Sequence, residues 1–519
     1  MKIKFFLVAA LTLFVSVAQA QSVEEIMRLS SSYAGLSTSR VVSMGGAFTS
    51  LGADAGSIDI NPAGLGMYRS NEFSVTPSLN MISATTNSID KSGSVISNKT
   101  NTTKFNLANM AAIFTFPRSR ENTVRSISLG FSYNRSADFD MHSFSSSAPS
   151  NGSISDYFSL QLKGVNPNSI DIEQHKDTPN YVYNYPINMW GAIMNYNNWM
   201  IDGTDKEPYE YNINPKNLEI NDFVTPTQDI LRSGQSNNFS ISTGFNIKDW
   251  LYLGVTMGGR SFNYTESVLY QEFGVQGNKG EFKELYYNRH TDMSGGSFDF
   301  KIGATAQPIT GLRIGLAYHA PKVTWVDEEY YEDQDVSYNG DKNNFRYQNS
   351  PYAINRYKVV SSHKLLTGIS YRLGNIGIIA FDYCLNLNNS VKVKDIDGAS
   401  ELSQNIRQAT RNNSEYKVGL EINVYRGLFA RGGFNYIESY YDYEDKGNNK
   451  YGATRNLSVG LGYKSRSFFV DVAYQHSHYL IEPYYYYGGS IDGTSVISES
   501  VIDSKINNNF VTMTVGFKF

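Results

Sequence analysis

Few residues in this chain are of types and spacings that could do chemistry. Seven histidines, His142, His175, His290, His319, His363, His476 and His478, are scattered along it. His476 and His478 stand two apart and share one face of an extended segment. With no third donor nearby they read as solvated surface residues, and no metal is expected. Cys384 is the single cysteine and has no disulfide partner. No Gly-x-Ser-x-Gly stands between a strand and a helix, and no strand pairs a serine with a suitably placed histidine and acid. No enzyme and no cofactor are expected. The chemistry that remains is electrostatic. Arg313, Arg372, Lys417, Glu421, Arg431 and Asp471, with Asp382, lie on the polar faces of alternating segments. Their mixed signs predict pairing with each other or with a plug, because unpaired buried charges are expensive.

The elements that carry these charges are β-strands. In the last segment Val511, Met513, Val515, Phe517 and Phe519 alternate with Thr512, Thr514, Gly516 and Lys518. That period of two marks a strand with one apolar and one small or polar face. From Glu72 onward there are fourteen such segments, the first near 72–84 and the last near 508–519. Pro308-Ile309-Thr310, Gly374-Asn375, Arg426-Gly427 and Ser465-Arg466 mark short connections, and these alternate with long ones. Short turns at one end and long loops at the other are how outer-membrane barrels are built. Closure also removes the edges that so many amphipathic strands would expose. The 38 Tyr and 29 Phe suit interfacial girdles. The expectation is an all-β transmembrane antiparallel barrel of about fourteen strands.

The address agrees with that fold. Lys2 and Lys4 precede an apolar run, Phe5 to Val17, and Ala18-Gln19-Ala20 is a cleavage site. Residues 1–20 therefore read as a signal peptide and not as a membrane helix. Without the two leader lysines the chain has 43 basic and 49 acidic residues, a net charge of −6, which gives no reason to expect nucleic acid.

Residues 21–70 do not read as strand. Ser22 and Glu25 form a capping box over a short helix, Val23 to Leu29. Small residues follow, then Asn61-Pro62-Ala63-Gly64-Leu65-Gly66. A stretch of this size makes no core of its own, but it can fill a lumen that fourteen strands leave too wide for side chains alone. The prediction is a plug inside the barrel of residues 71–519. Met44-Gly45-Gly46-Ala47-Phe48, Gly52-Ala53-Asp54 and Asn61-Pro62-Ala63-Gly64-Leu65 together resemble the N-terminal hatch of the FadL/TodX family, outer-membrane transporters of long-chain fatty acids and aromatic hydrocarbons. The resemblance implies passive uptake, with a hydrophobic ligand captured at extracellular loops and released past the hatch, sideways through the wall. It makes Asn61, Pro62, Ala63 and Gly64 the gate element.

The chain departs from that family in one extracellular loop, Ala137 to Gln235, far longer than an ordinary connection. Within it Pro186 opens a predicted helix over Ile187 to Ile201. Ile187, Trp190 and Met194, with Trp199 widening the stripe, give it an apolar face. This face is expected either to form a ligand-capture lid or to pack on neighbouring loops. The expected setting is the outer membrane of a Gram-negative bacterium, with the C-terminus and short turns in the periplasm. Partners would be outer-membrane lipid, a hydrophobic small molecule and, through the terminal Phe519, the barrel assembly machinery. Barrels that serve as type IX secretion shuttles share the plan, and a surface barrel binding haem is a further alternative.

Overall fold

The computed structural model describes residues 23–30, 36–119, 121–219, 221–339, 345–442, 451–491 and 494–519. The signal peptide, the cleavage site and Ser22 lie outside the described residues. From Glu72 on the chain forms a closed antiparallel barrel of 14 strands. They are β1 (Glu72–Ile89), β2 (Val95–Pro117), β3 (Val124–Asp138), β4 (Val224–Ile247), β5 (Leu251–Gly274), β6 (Phe282–Ile309) and β7 (Leu312–His319). The second half is β8 (His363–Leu373), β9 (Gly377–Leu387), β10 (Asn413–Tyr425), β11 (Leu428–Ile437), β12 (Thr454–Lys464), β13 (Phe468–Tyr485) and β14 (Val501–Lys518). The ring closes where β14 pairs β1, from Glu72 opposite Lys518 to Ile89 opposite Val501.

The faces follow the alternation. On β14, Met513 and Phe517 are exposed outward while Thr512 and Thr514 are buried inward. On β5, Leu253, Val255 and Met257 point outward, then Gly259, Ser261 and Asn263 take over that face. The apolar belt therefore covers only the part of each strand near the short turns. Beyond it the strands run on with two polar or mixed faces. For this reason β4, β5 and β6 run to 24, 24 and 28 residues, and β1 and β2 are joined by residues 90–94 alone. The Phe298 and Trp325 rings, 5.9 Å apart edge to face, mark the upper edge of the belt.

Three strands break at that edge. After β7, Ala320–Lys322 interrupts the pairing, and the chain continues as Val323–Tyr338 against the upper half of β6. Ala353–Val360 then pairs with this extension and leads through Ser361-Ser362 into β8. Lys392–Lys394 pairs with Ala353–Val360 in turn. A helix, Ala399–Ala409, packs inside the resulting wall.

Between β3 and β4 the chain forms an outer strand, Met141–Ser146, on β4 and then a folded cap. The predicted helix from Ile187 to Ile201 is shorter than expected. A 3-10 turn, Ile187–Met189, leads into a helix over Trp190–Asn197. It stops because Asn197 and Asn198 turn their side chains to tertiary partners, the Ile170 carbonyl and Gln334. Trp199 then takes a left-handed φ of 68°. Trp190, Ile193 and Met194 are buried in one cluster with Phe158, Leu162 and Ile170 of the cap and Tyr270, Leu285 and Tyr287 of the wall.

Candidate functional site

The hatch, residues 36–70, lies across the lumen near the short turns. Two short helices, Ser39–Ser43 and Ser57–Ile60, and a 3-10 turn, Pro62–Met67, give it shape. It is seated by a ring of glycines on the inward faces of the strands. A Cβ on Gly303 would lie 1.9 Å from Asn61 Oδ1, and one on Gly254 would lie 2.2 Å from the Pro62 carbonyl carbon. Gly244 meets Gly66 N in the same way at 2.4 Å, Gly315 meets Thr49 O at 2.1 Å and Gly433 meets Gly45 N at 2.1 Å. Only residues without a side chain let two backbones approach this closely.

Asn61 is the capping residue of the 3-10 turn. Its Oδ1 accepts from Ala63 N at 3.1 Å, and its Nδ2 donates to Thr49 O at 2.6 Å and Thr305 Oγ1 at 3.2 Å. Pro62, Ala63 and Gly64 are buried behind it. These four residues therefore form a buried wedge against β4, β5 and β6. Asp382, inward on β9, accepts from Phe48 N and Thr49 N, both at 2.7 Å. Ser39 N donates to Thr514 Oγ1 of the closing strand at 2.7 Å.

The opposite side of the hatch is ionic. Arg40 donates from Nε and Nη2 to the two Glu421 oxygens at 2.9 and 3.1 Å. Glu421 also accepts from Arg431 Nε at 2.6 Å, and Arg431 Nη1 reaches Asp471. A cavity of about 60 Å³ opens beside this network. Three of the seven predicted lumen charges thus meet, in one network with Arg40 of the hatch. Lys417 pairs separately with Glu415 at 3.0 Å, and Arg313 donates to Gln307 at 3.2 Å. Arg372 is not a lumen charge. It stands exposed at the end of β8, where its Nε donates to Gly374 O of the turn, because the strand has already passed beyond the hatch there. Lys301, bound to Asp59 at 2.7 Å and Asp299 at 3.1 Å, escaped the sequence reading. So did Arg40, whose partner lies 381 residues away.

The wall has a seam between β2 and β3. β2 pairs with β3 only from Asn109 to Pro117, although β2 itself runs to Val95 and stays paired with β1 throughout. Pairing with β3 ends beside Ala108, the extra residue that bulges β2 opposite the step from Thr76 to Pro77 of β1. Polar side chains close the gap. Asp138 Oδ2 accepts from Asn106 Nδ2 at 2.7 Å and from Asn80 Nδ2 at 3.1 Å, and Arg135 reaches Asn106 Oδ1. Leu36 of the hatch packs behind the seam on Ala108 and Phe510. Directly beneath, Met110, Phe131, Phe239, Ile241, Met257 and Phe298 line an outward-facing groove of about 650 Å³.

The cap is fastened to the wall by buried carboxyls. Glu272 accepts from Ser153 Oγ, Ile154 N and Tyr270 OH, each at 2.6 Å. Burial pushes its carboxyl up to about 7, and that of Glu332, which accepts from Tyr330, likewise. The predicted lid residues divide. Trp190 and Met194 belong to the cap core and face no open space, whereas Ile187 is half-buried at its border. Trp199 is exposed beneath the Arg346 guanidinium, 3.1 Å from the ring centre.

The sequence matches no protein-family model and no curated protein. Solved structures do match in shape. The toluene transporter TodX of P. putida superposes with a TM-score of 0.51 at 10% identity, over 93% of this chain and 98% of that one. A FadL homologue from Pseudomonas aeruginosa gives 0.50 at 11% identity, over 94% and 98%. The chain has the FadL-type fold. The hatch motif that carried the resemblance lies where it can block the lumen of this FadL-type barrel, while the signal that reveals its seat is the row of inward glycines on the strands.

Proposed function

We propose that this FadL-type barrel is a passive transporter of hydrophobic small molecules, of the long-chain fatty acid or aromatic hydrocarbon kind, in the outer membrane of a Gram-negative bacterium. In this reading the short turns and C-terminus face the periplasm and the cap faces outward. The ligand enters beneath the cap, where Ile187 and Trp199 stand at its border. The hatch denies it a straight path. The observation that carries the reading is the seam between β2 and β3, opening onto an apolar groove on the lipid face. A greasy molecule leaving there passes from the lumen into lipid without crossing the aqueous side. Side chains alone close the seam, so it can open without breaking a strand ladder.

The test is uptake. Cells with and without the protein are given radiolabelled fatty acids of several chain lengths and a panel of monoaromatics. Faster entry of at least one apolar compound, dependent on the protein, is expected. Equal entry across the whole panel refutes the transporter.

A further inference from the structure

β2 is paired with β1 along its length but with β3 only from Asn109 onward. Its first part, Val95 to Phe105, is therefore a sheet edge. The turn between β1 and β2 decides which groups that edge offers. Asp90 N donates to Ser94 O at 3.1 Å. In an antiparallel ladder the bonded pairs recur every second residue. Those of this hairpin are thus Ser88 with Ile96, Thr86 with Asn98, Ala84 with Thr100 and Ile82 with Thr102. The even residues of β2 direct their backbone groups to β1. Ser97, Lys99, Asn101 and Thr103 direct theirs to the open side, where no backbone bond meets them among the described residues.

The strand Met141–Ser146 lies behind this hairpin and not beside it. It meets the inward side chains. Asn98 Nδ2 donates to Ser146 Oγ at 3.0 Å, and the hydroxyls of Thr100 and Thr86 donate to the carbonyls of His142 and Phe144. Its own ladder is with β4. Val95, Ser97, Lys99, Asn101, Thr103 and Phe105 are exposed. Proteins blunt open edges with proline, with bulges or by keeping them short. No proline stands between Val95 and Phe105, and Val95, Ile96, Thr100, Thr102 and Thr103 favour the extended form. The outward face of this stretch is polar, so the edge stands in water. Open backbone groups are not tolerated in hydrocarbon.

We propose that this edge of β2 docks an extended segment of another polypeptide, which adds as an antiparallel strand and sets a carboxylate against Lys99. Strand addition of this kind takes its affinity from main-chain hydrogen bonds and its selectivity from alternate side chains. A second copy of the chain does not fit. Copies inserted the same way into one membrane are related by an axis along its normal, so their β2 edges run parallel. Two identical edges pair about a two-fold only when antiparallel, which needs one copy upside down. Charge selects the partner further. Lys104 pairs Asp140 at 3.3 Å, whereas Lys99, in the middle of the outward face, makes no ion pair among the described residues. An acidic residue directly opposite it is favoured. The proposal does not depend on the transporter reading.

The experiment uses the full mature chain in detergent, with heat-dependent gel migration to check that the barrel is folded. The probe is the capped, fluorescein-labelled peptide Thr-Val-Thr-Glu-Thr-Val-Thr. Binding is read by anisotropy, and amide exchange is followed residue by residue. The peptide should bind saturably and slow exchange at Ser97, Lys99, Asn101 and Thr103. N-methylation of its two valines and its glutamate, whose amides face the edge, should weaken binding roughly tenfold or more, because several hydrogen bonds go at once. N-methylation of its inner threonines should leave binding intact. Asn101→Pro should weaken binding as the first methylated peptide does, and Asn101→Ala should not. Peptides that bind alike whichever amides are methylated overturn the proposal, as does a folded protein that binds no peptide at millimolar concentration. Protection of these four amides before any peptide is added shows the edge already covered and overturns it too.

Discussion

Replacing Glu421 by Gln tests which side of the hatch holds it shut. The network contains two cations, Arg40 and Arg431, and two anions, Glu421 and Asp471. The amide keeps the shape of Glu421 and removes its charge. Arg40 then loses its ion pair with Glu421, and Arg431 keeps its pair with Asp471. Breaking one partner out of a buried pair costs about 3–5 kcal/mol, which is about two to three and a half powers of ten in an equilibrium. Arg40 is the one member on the hatch, so much of this cost falls on its seating and favours the unseated state. The assay is ion conductance of single barrels in a planar bilayer. Glu421→Gln should open in bursts where the native protein stays closed. Adding Arg40→Met should quieten it again, because one cation and one anion then remain balanced. A Glu421→Gln protein that conducts and melts like the native one refutes the argument, as does a double variant no quieter than the single.

The dry side should respond differently. In Gly303→Ala the new methyl overlaps Asn61 Oδ1, and overpacking of this kind costs about 1–3 kcal/mol before any lost hydrogen bonds are counted. Limited proteolysis should cut its hatch sooner, whereas Gly259→Ala, with open space at its Cβ, should behave as native. Trp190→Ala should destabilise the cap by about 3–5 kcal/mol and Trp199→Ala by about 1 kcal/mol or less, read from cap melting by hydrogen exchange. The cap should also loosen as pH rises. Glu272 holds its proton to about 7 against an ordinary 4.5, so its contribution is full below about 4.5 and is lost as pH climbs through 7, by about 3 kcal/mol in all. Amide protection of residues 154–161 should fall between pH 5.5 and 8 after correction for intrinsic exchange. Glu272→Gln should reduce that dependence to the share Glu332 carries, and equal protection of the native protein at both pH values would count against the argument.

The strands were legible because lipid imposes a rule on every second residue. Each of the fourteen alternating segments overlaps one barrel strand of the structure, several of them running one to three residues past its end. Where the rule lapses so does the signal. Beyond Gly259 the outward face of β5 meets no belt, and its alternation fades while the strand runs on to Gly274. The hatch was legible as a run of small residues, but its seat was not. Gly315 and Gly419 read only as the small face of a strand until the backbone of Thr49 or Met44 lies against them. The charges on β10, β11 and β13 were visible singly, yet their partner Arg40 is far off in sequence. The apolar stripe at Trp190 and Met194 announced something to be buried, and burial inside the cap itself satisfied it. Periodicity names a greasy face without naming what covers it.

The closing pair of strands also has a topological meaning. The hatch touches β4, β5 and β6 on one side and β11, β12 and β13 on the other, and Ser39 is bonded to Thr514 of β14 itself. A finished cylinder with backbones packed this closely leaves no room for such a segment to be threaded in afterwards. The hatch lies between the two halves that Glu72 and Lys518 join. The segment that precedes the barrel strands in the chain is thus enclosed by the ring, and the last strand both closes that ring and bonds to it.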